Sequence, residues 1–163
     1  LVHAVQDQSV DLEALTDPDL GNDRATAAQA AIEGHATLVM LEFLTEQMRG
    51  APVDLGRVQD FAGNLGPALE GMQGQFPALA GAPAVVRRAL LFPYVEGAGF
   101  VQGLWGGGAR HAPFGPHLPL STEQILTRDR TDARCYRFVA EPRREPQPER
   151  EGNPLIPRRS PAF

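Results

Sequence analysis

The sequence predicts an all-α fold, an irregular multi-helix body of about five or six helices followed by a disordered C-terminal tail. Three observations carry this. From Asp23 to Arg49 there is no proline, and Ala28, Ala31, Ile32, Ala36, Val39, Phe43 and Leu44 recur at three- and four-residue spacings. A second apolar stretch follows Pro83 and reaches Trp105. The 15 prolines concentrate toward the C-terminal end, which separates a folded body from a loose extension. At 163 residues the chain fits one domain with a real hydrophobic core.

Residues 1–8 read as the end of a helix, with Val2 and Val5 apolar and Gln6-Asp7-Gln8 turning polar toward a terminus. Residues 9–22 form a connecting arm, because Asp17-Pro18-Asp19 and Gly21-Asn22 are turn signals. The 23–49 helix takes Asn22 or Asp23 as its cap, and Gly50 sits where a left-handed stop residue belongs. Between 51 and 82, a moderate amphipathic helix from Val53 to Leu65 gives way to a loosely helical connector broken by glycine and proline. Pro83 suits the first turn of a new helix, Pro93 kinks or breaks it, and Tyr94 to Trp105 resumes. A Gly/Pro loop runs from Gly106 to Pro119, its His111 and His117 read as solvated because their spacing fits no ligand pattern. Ser121 followed three residues later by Gln124 is a capping box and starts a last short helix. These elements define a helical domain at 1–127 and a Pro/Arg/Glu-rich tail at 128–163. Pro142, Pro146, Pro148, Pro154, Pro157 and Pro161 among Arg and Glu cannot bury enough apolar area to order the tail. The abrupt change of composition also fits a shifted reading frame or a truncated gene product, which the coding DNA would test.

A net charge of −5 argues against nucleic acid as a partner, since the one arginine-rich region is diluted by glutamate. The lone Cys135 cannot form an internal disulfide and leaves the compartment undecided. No apolar run approaches the roughly eighteen residues needed for a membrane-spanning segment.

The residues that carry chemistry stand where the helical pattern is interrupted. Glu33-Gly34 breaks an apolar stretch from Ala27 to Leu41, and a carboxylate there is costly to bury unless paired or bound to a metal. The plain alternative is a partly exposed Glu33 on a polar stripe with Gln29 and Thr37. Gly34 costs about 1 kcal/mol of helix stability relative to alanine, which is tolerable if another backbone must come close. Both oddities are met if this helix packs against the one carrying His3 and Glu33 reaches the same ion as His3. His35, roughly 200° around the helix from Glu33, does not share that face. Tyr94 and Glu96, just past Pro93, either line the cleft or serve as a satisfied core tyrosine and a surface carboxylate. In the cleft, Tyr94 would donate to a developing oxyanion, and Glu96 would orient a ligand or replace Glu33 as the third one.

Four ordered blocks, Leu1-Val2-His3-Ala4-Val5-Gln6-Asp7-Gln8, Glu33-Gly34-His35-Ala36, Phe92-Pro93-Tyr94-Val95-Glu96-Gly97 and Ser121-Thr122-Glu123-Gln124-Ile125-Leu126, resemble a family of bacterial gluzincin-like zinc metallopeptidases. The match covers residues 1 to about 126. In that family the first block reads His-Glu-x-x-His-Ala-x-Gln-Asp-Gln and the second usually Glu-Gly-Asp-Ala, so His35 stands where the family carries Asp. Two His and one Glu are the family's metal ligands. The resemblance implies that His3 and Glu33 are zinc ligands, and that the chain opens inside its His-Glu-x-x-His motif. The first His and the glutamate that acts as general base would then lie just upstream of Leu1.

The expectation is therefore a zinc peptidase for the intact parent, acting on a peptide or protein substrate and extracytoplasmic by resemblance. The chain itself, with two of three ligands, should bind zinc weakly and hydrolyse nothing. The competing expectation is a non-catalytic helical module of a secreted or envelope protein that holds a partner in an apolar groove. Distance separates the two. Two ligands about 2.0–2.2 Å from one zinc put the His3 nitrogen and a Glu33 oxygen roughly 3–4 Å apart.

Overall fold

A computed structural model of the protein describes residues 1–128, apart from residues 72–74 and the side chain of Glu70. Among the described residues there are seven α-helices and no strand. They are α1 (Val2–Gln6), α2 (Leu12–Leu15), α3 (Asn22–Arg49), α4 (Phe61–Gly71), α5 (Pro77–Ala80), α6 (Ala84–Trp105) and α7 (Thr122–Thr127). Short 3-10 turns join several of them. The expected tail lies, beyond Arg128, outside the described residues.

Helices α3 and α6 form the frame. Their contact is close because each offers a glycine at the crossing: a Cβ on Gly34 would stand 2.1 Å from the carbonyl carbon of Gly97, and one on Gly97 would stand 2.0 Å from the carbonyl oxygen of Ala30. Further along, Glu42 of α3 and Gln102 of α6 both reach Leu55, so the two helices run in the same sense. Leu38, Val101, Leu104 and Ile125 are fully buried, with Phe61, Phe100 and Trp105 completing the core. Gly34 thus admits another backbone as expected, but that backbone belongs to α6 and not to the helix carrying His3.

Most element boundaries follow from local chemistry. Gly50 ends α3 in the left-handed conformation (φ 69°, ψ 14°), which only glycine adopts without strain. The start of α3 differs from expectation. Gly21 occupies the cap without a side-chain bond, because the carboxylate of Asp23 is engaged by α7 and accepts from the Thr122 amide (3.2 Å) and hydroxyl. Ser121 caps α7 by accepting from the Gln124 amide, while the Gln124 side chain returns to the amide of Leu120. No helix begins at Val53. There the backbone is captured by its surroundings, with Glu42 accepting from the Leu55 amide (2.8 Å), Gln102 donating to the Leu55 carbonyl (2.9 Å) and Asp54 accepting from the Gly56 amide. Helix formation is deferred to Phe61, and α4 then runs through Pro67.

Pro93 does not break α6, which continues for 22 residues. Proline's fixed φ suits a helix, and the bond it withholds is outweighed by burial of Pro93, Gly97, Ala98, Phe100 and Val101 behind it. The periodic apolar residues of α3 are not all internal. Beyond the crossing, Phe43 and Leu44 are 59% and 47% exposed. The spacing that predicts the helix does not by itself say which of its turns is covered.

Alanine at Gly34 or Gly97 is expected to lower stability by about 1–3 kcal/mol or more, since its Cβ meets backbone that cannot swing away. Gly103→Ala on the same α6, with nothing within 4 Å of its Cβ, is expected to gain up to about 1 kcal/mol from helix propensity. Urea unfolding of the three variants measures both signs.

Candidate metal centre

The crossing decides where the neighbours of Gly34 point. Successive residues on a helix are about 100° apart, so with Gly34 turned toward α6 its two flanking side chains emerge on opposite sides of the contact. Glu33 emerges toward α1. His35 emerges on the other side, against the rings of Trp105 and Phe114, with centroids 6.0 and 5.9 Å away in edge-to-face arrangements.

Helix α1 packs on α3 and brings His3 to Glu33, with Nε2 3.3 Å from Glu33 Oε2. The two side chains are 47% and 21% exposed and line an open groove of about 430 Å³ together with Leu12, Glu13, Thr16, Gln29 and Ile32. This spacing lies within the roughly 3–4 Å that two ligands of one zinc ion require. Among the described residues, no group of three or more His, Cys, Asp or Glu side chains converges on one point that could hold a metal ion. An imidazole nitrogen and a carboxylate oxygen are donor types that zinc accepts.

The remaining faces of His3 and His35 are joined by one residue that sequence reading passed over as a polar helix end. Gln6 is buried, 4% exposed. Its side-chain nitrogen donates to the Ile32 carbonyl (3.2 Å) and lies 2.9 Å from His35 Nδ1, while its oxygen lies 2.8 Å from His3 Nδ1. The signal available in the sequence was spacing, since residues three apart on a helix share a face and Gln6 follows His3 by three.

Two residues of α6, Tyr94 and Glu96, are expected beside the site. Tyr94 is 41% exposed, and its hydroxyl is held above the ordinary phenol range by burial and, second, by the negative charge of Glu33. Glu96 is not there. Two positions on, it is turned roughly 200° away. It lines a different groove of about 460 Å³ with Ala62, Gly66, Arg88, Phe92 and Leu126, so neither orienting a ligand of this centre nor replacing Glu33 is open to it. His111 and His117, expected to be solvated, lie with ring centroids 4.6 Å apart and planes tilted by 30°, and His111 is exposed.

Comparison of the chain with protein-family models, with curated proteins and with solved structures finds no match in any of the three.

Removing the charge in Glu33→Gln is expected to bring the Tyr94 hydroxyl back toward the ordinary phenol range, because a carboxylate beside it disfavours the tyrosinate. NMR titration of the Tyr94 ring checks the direction. A second expectation concerns acid stability. Burial holds His35 below the ordinary imidazole value of 6.5, so above that pH the residue is neutral in both folded and unfolded chains and contributes no slope. Below 6.5 the unfolded chain takes up a proton that the folded chain refuses, and stability falls as pH falls until the folded value is passed. Unfolding free energies of wild type and His35→Gln between pH 7.5 and pH 5.5 should show the steeper decline in the wild type.

Proposed function

We propose that His3 and Glu33 are two protein ligands of a zinc ion in a metallopeptidase centre. Their separation of 3.3 Å carries this reading, reached across thirty residues of sequence between a five-residue helix and the middle of the longest one. The resemblance of the four blocks supports it; in the family they resemble, a second His is the third ligand and a Glu is the general base. When bound, the metal polarises a peptide carbonyl and makes water a stronger nucleophile.

The chain's own residues divide the other tasks. His3 offers Nε2 and Glu33 offers Oε2 to the same point. Tyr94, an exposed residue within the electrostatic influence of Glu33, keeps its proton through neutral pH and acts as a donor to the carbonyl oxygen of a bound peptide. The groove leading from the pair, with Leu12 and Ile32 as apolar walls and Thr16 and Gln29 as polar ones, receives an extended peptide or protein segment. Extracytoplasmic location, secreted or envelope-anchored, follows by the same resemblance.

A second reading is a non-catalytic helical module that holds a partner in an apolar groove. It is favoured by the Glu96 groove, where Pro67, Leu91, Phe92, Val95 and Leu126 supply an apolar lining.

Residues 1–163 are expected to bind zinc weakly, to lose that binding in His3→Ala and Glu33→Gln, and to cleave no peptide. The chain extended by the residues its coding DNA specifies upstream is expected to show chelator-sensitive peptidase activity. Calorimetry with zinc and a fluorogenic peptide assay measure the two. An upstream pair other than His-Glu, together with zinc binding that both substitutions leave unchanged, would overturn the peptidase reading.

A further inference from the structure

We infer that Gln6 is a positioning residue that fixes which nitrogen of His3 is available at the centre. The inference rests on the zinc reading for its purpose but not for its geometry. The Ile32 carbonyl can only accept, so the Gln6 atom 3.2 Å from it must be the amide NH2. That assignment fixes the rest of the chain of contacts. The same NH2 faces His35 Nδ1 at 2.9 Å, so His35 accepts there and carries its proton on Nε2. The amide oxygen faces His3 Nδ1 at 2.8 Å and can only accept, so His3 carries its proton on Nδ1. Nε2 of His3, the nitrogen 3.3 Å from Glu33, is then left to offer its lone pair to a cation; without a cation the Glu33 carboxylate and the Gln6 oxygen, both acceptors, compete for the one ring proton, and in the proposed arrangement Gln6 prevails.

The arrangement accounts for three features at once. A glutamine is buried in a helix of five residues because both ends of its amide are in use. A histidine at position 35 suits the amide, which needs an acceptor there, because a neutral imidazole provides one. His35 is kept neutral by its surroundings, with Trp105 and Phe114 packed against its ring. Ligand histidines generally donate their remaining N–H to a partner that sets ring orientation and tautomer, and removing such partners typically costs about 10–100-fold in metal affinity.

The test is the tautomer itself, read from 15N shifts of the histidine rings in the 163-residue chain without metal, at a pH where the rings are neutral. The expected result is His3 protonated on Nδ1 and His35 protonated on Nε2. Gln6→Met keeps the length and bulk of the side chain but neither hydrogen bond. In that variant both rings lose their Gln6 partner, so His3 is expected to shift toward the Nε2–H form that an unpartnered imidazole favours, while His35, already in that form, keeps it. Zinc affinity is expected to fall about 10–100-fold in parallel. Wild-type His3 protonated on Nε2, or a His3 tautomer that Gln6→Met leaves unchanged, would overturn the inference. Because the wild-type measurement uses no variant and no metal, it stands whether or not the substitution folds. Zinc titration of the wild type separately decides the metallopeptidase reading.

Discussion

Everything in the body of this protein depends on two backbones touching. Helices α3 and α6 approach until Gly34 and Gly97 leave no room for a Cβ between them, and the buried side chains on both helices are arranged around that contact. Such closeness trades helix propensity, about 1 kcal/mol per glycine, for packing over a long shared surface. It also sets the chemistry. A residue pinned between two backbones has neighbours whose directions are no longer free, so Glu33 and His35 are aimed by the crossing before any ligand or partner is considered.

From that constraint the centre follows in steps. Glu33 is presented beside Tyr94 and toward α1, and α1 delivers His3 to it. On the opposite side His35 packs against Trp105 and Phe114, and Gln6 of α1 engages its Nδ1. One amide therefore ties two faces of α3 to one short helix. The remainder of the structure braces this frame. Asp23 holds α7, Glu42 and Gln102 hold the 55–57 turn, and Arg110 pairs with Glu42 while lying 4.4 Å from the centre of the Trp105 ring.

How much of this could be read beforehand depended on whether the cause was local. Helix α3 was legible because its 28 residues lack proline and end at a glycine that must turn left-handed. The meeting of His3 and Glu33 was legible because a carboxylate inside an apolar run demands a partner and the ordered blocks named one. The role of Gly34 was half legible. Glycine announces a close approach, but nothing local says whose backbone approaches. Gln6 was illegible as a buried residue, since the partners it meets on α3 are 26 and 29 residues away in sequence. The opposite error was made at Glu96. Its sequence proximity to Tyr94 suggested a shared site, whereas helical geometry turns residues two apart away from each other. The helix expected from Val53 failed for a similar reason, because side chains from α3 and α6 claim the backbone that a helix would have used.

The way α1 is held to α3 has a consequence for how the centre is assembled. Gln6 ties α1 to the Ile32 carbonyl and to His35, and His3 ties it to Glu33. An ion gripped by those two side chains would thus be a fastener for the N-terminal segment as much as a reagent, and part of its binding energy would go into ordering that segment. Affinity at this place and the stability of the first turn are then one quantity seen from two ends.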